Sequence, residues 1–209
     1  MIDFYTWAAP NGRRVAIMLE ECGLPHRTLP VDLGRGDHHA PGFRALNPSG
    51  AIPVIVDHDR DGGPLTLTQS AAILQYLARK CGRLLPDDAA AQARVLEALM
   101  LVMTDVAAAA VSGFLMARLA EPPAEAAAVF RTRLQNFLDV VEGRVTAADF
   151  LAGDYSIADV ALYPISRLPI VEAAIDTPGR YDRFLAWRER VGSRPAVVAG
   201  MASPQTATA

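Results

Sequence analysis

Cysteine is scarce in this chain of 209 residues: Cys22 and Cys81 are the two it has, far apart and in neither a CxxC nor a metal-ligand spacing. That scarcity argues against a disulfide-built scaffold. It makes a reducing cytoplasm the expected compartment and both thiols inert at core or helix-end positions. A basic excess is missing as well. Lys and Arg number 20 against 23 Asp and Glu, a net charge of −3, so no field draws nucleic acid or an anionic membrane surface. Long uncharged runs are also absent. The longest apolar region, 98–119, is broken by Thr104, Asp105, Ser112 and Arg118, and no membrane span is expected. No basic leader or cleavage signal precedes the first apolar segment, so no signal peptide is expected.

What is present is a globular composition, 51% hydrophobic and 21% charged, with an alanine excess that favours helix. The first part reads strand, helix, strand, short helix, strand, strand, helix. Strands are expected over 2–5, 27–31, 53–57 and 65–67, the last two joined by the turn at Gly62-Gly63-Pro64. Asn11 can cap a first helix that Gly23 stops, and Thr68 can cap another running over 69–80 to Gly82. From Pro86 onward no strand pattern survives. Asp87 and Asp88 open a long helix with Val95, Leu99, Val102, Met103 and Val106 at helical spacing, ended by Pro122-Pro123. A helix over 124–142, a capping box at Ser156–Asp159 and a last helix over 181–191 follow. The boundary falls near residues 80–88.

This order of elements is thioredoxin-like, yet the turn after the first strand, Ala9-Pro10-Asn11-Gly12, holds no cysteine. Such a chain runs no dithiol chemistry of its own, and any sulfur it uses must arrive with a ligand. Three segments resemble the glutathione transferase superfamily: Asn47-Pro48-Ser49-Gly50-Ala51-Ile52-Pro53-Val54-Ile55, Thr68-Gln69-Ser70-Ala71-Ala72-Ile73 and Tyr155-Ser156-Ile157-Ala158-Asp159. Met1-Ile2-Asp3 with Pro10-Asn11-Gly12, Val31-Asp32-Leu33-Gly34-Arg35-Gly36 and Asp57-His58 further resemble its bacterial Nu-class branch, whose members act mainly as glutathione-dependent disulfide reductases. The resemblance implies an α/β thioredoxin-like N-terminal domain over 1–82, which binds glutathione, and an all-α C-terminal domain over 87–209. It also implies a cytoplasmic homodimer. Glutathione and a small disulfide or electrophile would be its partners, with no metal, nucleic acid or membrane.

The same resemblance assigns roles residue by residue. A cis bond before Pro53 would turn the Ile52 backbone toward the cysteinyl backbone of glutathione; the plainer alternative is a proline at a strand's first residue. Gln69 and Ser70, at a helix N-terminus, would hold the γ-glutamyl end, whereas on chemistry alone Ser70 is a helix-start residue. His38 would meet the glycyl carboxylate, with His39 able to substitute; a solvated loop pair is the plainer account. Asp105 would reach across a dimer to the γ-glutamyl ammonium, or else is a solvated helix charge. Relatives stabilise the thiolate with a Tyr, Ser or Thr hydroxyl, but Trp7, Ala9 and Pro10 stand at those positions, and the direction of Tyr5 is open. The Asn11 amide, backbone N–H groups and the positive end of the first helix remain, although Asn11 is equally a favoured N-cap. Met100, Met103, Phe114 and Met116 suit an apolar co-substrate pocket, but their helical spacing also fits core. The chemistry expected is thiol–disulfide exchange. Conjugation to small electrophiles and non-catalytic glutathione binding are the alternatives.

Overall fold

The computed structural model describes residues 1–121 and 123–204; Pro122, expected to help end the long helix, lies outside the described residues. Two compact units divide the chain, Met1–Arg83 rejoined by the segment from Arg194, and Leu84–Ser193.

The first unit is built on a sheet of four strands in the order β2-β1-β3-β4. These are β1 (Ile2–Thr6), β2 (His26–Pro30), β3 (Val54–Asp57) and β4 (Leu65–Thr68). Helix α1 (Pro10–Cys22) carries the chain from β1 to its parallel neighbour β2, while β3 runs antiparallel to both β1 and β4. In β1 Ile2, Phe4 and Thr6 are fully buried, while Tyr5 is half-exposed, its ring 6.3 Å from that of Phe43. Phe43 lies in α2 (Pro41–Leu46). Val15, Ile17, Met18 and Leu19 of α1 and Ile73, Leu74 and Leu77 of α3 (Ser70–Cys81) are all fully buried. Each such aliphatic side chain contributes about 1.5–3 kcal/mol. Gly23 and Gly82 end the two helices in the left-handed conformation, where a side chain is disfavoured.

Two expectations need correction here. Asn11 does not cap α1: the helix begins at Pro10 behind Ala9, and no side chain caps it. Proline at the first helical position costs nothing, because its missing N–H has no intrahelical partner there. Nor does Thr68 cap α3; that position belongs to Gln69. A third correction concerns the cysteines, expected as free thiols. Cys22 and Cys81 form a disulfide with Cα atoms 5.7 Å apart, because the two helices that end on them lie side by side. A short helix that the sequence did not reveal, α10 (Pro195–Met201), covers α1 so closely that a Cβ on Gly200 would meet the Ile17 backbone.

The second unit is helical: α4 (Ala89–Met100), α5 (Ala107–Ala117), α6 (Ala124–Ala147), α7 (Ile157–Ser166), α8 (Pro169–Ile175) and α9 (Asp182–Gly192). A π-helical turn, Leu101–Val106, joins α4 to α5. By length and composition Ala89–Ala117 would suffice to cross a membrane, despite the interruptions seen in sequence. A stripe of it, including Val95, Leu99, Val102, Val106 and Ala110, is buried, as on the packed face of a bundle helix. The capping box forms as the spacing anticipates. The Ser156 Oγ accepts from the Ala158 N–H, and Asp159 Oδ2 accepts from the Ser156 N–H at 3.0 Å. Asp159 Oδ1 also accepts from Trp187 Nε1 at 2.8 Å, locking α7 to α9. Burial pushes the Asp159 carboxyl up, against these donors.

Candidate functional site

Strand direction brings the motif residues together. β1 leaves the sheet at Thr6, β3 enters it at Val54 opposite Tyr5, and Val54 pairs in turn with Thr68 at the end of β4. One end of the sheet therefore presents the 7–12 turn, Ile52–Pro53 and Gln69–Ser70 side by side. Gly12 is obligatory in that arrangement: a Cβ there would collide with Thr6 Oγ1 and lie 2.5 Å from the Trp7 carbonyl. The N-terminus of α1 is thus pressed onto the end of β1.

The Ile52–Pro53 bond is cis, as the motif implies. Ile52 is delivered by a turn in which Asn47 Nδ2 donates to the Ala51 carbonyl at 2.6 Å, with Gly50 in the left-handed region. Its side chain is buried with Val31, Phe43 and Val54, and Trp7 and Ala9 pack against that cluster. The side chain thus packs inward, which leaves the backbone to serve a ligand.

Gln69 is exposed and stands at φ 65°, a conformation that costs a residue with a Cβ about 1 kcal/mol or more. Ser70 is buried, and its Oγ accepts from Arg14 Nη1 at 3.3 Å. Arg14 is itself fully buried. Desolvation pulls its guanidinium down to about 10, which leaves it a cation at neutral pH. Neither α1 nor α3 carries an acidic residue in its first turn, so the positive end of each helix has no carboxylate of its own at this end of the sheet.

Asn11 lies in the first turn of α1 with its side chain exposed. The loop bearing His38 folds against Gly50, where a Cβ would sit 3.1 Å from the His38 carbonyl. The His38 ring lies 3.8 Å from that of His39, tilted by 43°, and its Nδ1 is buried without a hydrogen-bond partner among the described residues. Asp105 belongs to the other unit, half-buried in the π-helical turn. Arg14 was not singled out from sequence. The signal was there: position 14 shares a helical face with Ile17, Met18 and Glu21, all of them buried.

No group of three or more His, Cys, Asp or Glu able to hold a metal occurs among the described residues. A cavity of about 360 Å³ between β2 and α10, lined by Glu20, His26, Thr28 and Ala199, shares no residue with this end of the sheet.

The family model for the glutathione S-transferase N-terminal domain matches residues 8–80. The disulfide-bond oxidoreductase YfcG of Escherichia coli (strain K12) is 34% identical over 200 residues, covering 94% of this chain and 92% of the relative. A glutathione transferase from Burkholderia graminis, solved with two glutathione molecules bound per subunit, superposes with a TM-score of 0.89 at 32% identity over 98% of this chain and 88% of its own. One from Pseudomonas putida, with one glutathione disulfide bound per subunit, does so at 0.90 and 30% over 97% and 91%.

Proposed function

The chain belongs to the glutathione transferase family, and we propose that it is a glutathione-dependent enzyme that reduces disulfide bonds. The observation that carries this reading is the convergence, at one end of the sheet, of the Ile52–Pro53 backbone and two helix N-termini with no acidic residue in their first turns, beside a first turn with no cysteine. Such a site suits a ligand with a carboxylate, a peptide backbone and a thiol of its own. Glutathione would lie with its γ-glutamyl end at Gln69 and Ser70. Its cysteinyl backbone would run along Ile52 and Pro53, and its glycyl carboxylate would lie toward His38. The sulfur would sit near Asn11 and the α1 N-terminus, where N–H donors favour a thiolate. Asp105 would act on the γ-glutamyl ammonium, supplied by the partner subunit of a homodimer. The whole site except Asp105 would lie in a domain over 1–82.

Exchange then follows ordinary thiol chemistry. The bound thiolate attacks one sulfur of a small disulfide, forming a mixed disulfide and expelling the other sulfur as a thiolate. A second glutathione attacks the glutathione sulfur of that mixed disulfide, yielding glutathione disulfide and the second thiol. Binding of two glutathiones, or of their disulfide, by family members supports a site that accommodates this sequence. A reductant of this kind requires a pool of reduced glutathione, which favours a cytoplasmic location.

Conjugation to electrophiles needs the same thiolate and an apolar surface for the second substrate; Met100 and Phe114, 40% and 41% exposed, offer apolar side chains in the helical unit. The test is a side-by-side assay with reduced glutathione. Turnover of a small disulfide exceeding that of an aryl halide is the expected result; the reverse order would make the chain a conjugating transferase.

A further inference from the structure

We infer that Arg14 is a positioning residue for glutathione: it fixes the Ser70 hydroxyl as an outward donor to the γ-glutamyl α-carboxylate and sets a positive charge behind it. The inference rests on the reading that this carboxylate lies at Ser70. A serine hydroxyl has one proton to give and two lone pairs to receive. With Arg14 Nη1 donating to Oγ at 3.3 Å, the hydroxyl proton is directed elsewhere. Ser70 occupies the first position of α3, so its hydroxyl stands in the same turn as the helix's free N–H groups. A neutral partner for Oγ would leave the hydroxyl free to turn inward. A guanidinium carries donors only, so the hydroxyl cannot give its proton to Arg14.

Charge adds to the effect. Arg14 is fully buried beneath Ser70 and stays protonated at neutral pH. A cation in a poorly solvated position is screened less than one at the surface, so its attraction extends to an anion on the far side of the hydroxyl. The arrangement is neither a surface ion pair nor a direct clamp. Arg14 comes from the second turn of α1 and acts through a residue of α3, coupling the helix that faces the thiol to the helix that faces the carboxylate.

The test uses the full chain and two ligands. One is glutathione; the other is 4-aminobutanoyl-cysteinyl-glycine, which is glutathione without its α-carboxylate. Dissociation constants are measured for wild type, Arg14→Met, Arg14→Lys, Ser70→Ala and the Arg14→Met/Ser70→Ala double variant, each checked for native circular dichroism. Arg14→Met is expected to weaken glutathione about tenfold while leaving the analogue unchanged, the size of a lost hydrogen bond to a charged group. Arg14→Lys is expected to recover part of the loss. In the Ser70→Ala background the Arg14 effect should shrink, because the group it acts through is gone. KM for glutathione should rise with kcat at saturation held, since the carboxylate is bound alike before and during the reaction. Equal weakening of both ligands, or factors that multiply in the double variant, would overturn the inference and leave Arg14 a packing residue. Equal affinity of wild type for glutathione and the analogue would instead remove the carboxylate from Ser70, and the binding reading would fall first. Should Arg14→Met not fold, Arg14→Lys alone decides: a selective loss for glutathione supports the inference, and an unselective one refutes it.

Discussion

Asn11 is the residue on which thiol activation turns in this account. It stands in the first turn of α1 with an exposed amide, and Ala9 before it lends no hydroxyl. Helix capping, the plainer explanation of an asparagine at that point, is excluded because the helix already starts at Pro10. Asn11→Ala is expected to cut disulfide turnover about tenfold and move the turnover–pH profile to higher pH, since a neutral donor to a standing charge contributes about 1.5–3 kcal/mol. Backbone N–H groups of α1 remain and limit the loss. Glutathione affinity should hardly change. Ala9→Thr is expected to add to the existing turnover. A profile unmoved by Asn11→Ala would take this residue out of the site, and an activity created only by Ala9→Thr would mark the natural chain as a binder.

At the scale of the element, some of the fold was legible in advance and some was not, for identifiable reasons. Alternation of Ile2 and Phe4 gives β1, and the Ser156–Asp159 spacing gives the start of α7, because both signals are local. The motif around Pro53 and that around Ser70 likewise mark their places by short spacing, and the sheet register brings them together. Long-range pairing leaves no such trace. Each cysteine directly precedes a helix-ending glycine, but only the side-by-side packing of α1 on α3 makes Cys22 and Cys81 neighbours. Tyr76 reads as part of an apolar face, yet its hydroxyl donates to Asp57 Oδ2, which also pairs with Lys80 at 2.8 Å. A buried carboxylate on a different strand has no signature in the helix that satisfies it. Because the disulfide closes a loop with a separation of 59 residues, Cys22→Ser is expected to lower stability by about 2–4 kcal/mol. Thermal denaturation with and without reductant checks it. An unchanged midpoint in both comparisons would show that the bond contributes nothing to the fold.

At the scale of the whole molecule, the role proposed for Asp105 requires two copies of the chain. In the helical unit Val111, Phe114, Leu115 and Leu119 are 41–59% exposed, a run of apolar side chains near the end of α5 that favours burial against a second chain. Sedimentation at micromolar concentration is expected to give twice the chain mass. A stable monomer would retire the cross-subunit role proposed for Asp105. The account's central claim, however, is that this end of the sheet turns glutathione into a reductant of disulfides. The most direct measurement follows the reduction of a small disulfide at neutral pH while the concentrations of protein and of glutathione are varied. The account predicts a rate proportional to protein and saturable in glutathione, well above the uncatalysed exchange. Saturable glutathione binding with no rate above that background would contradict it.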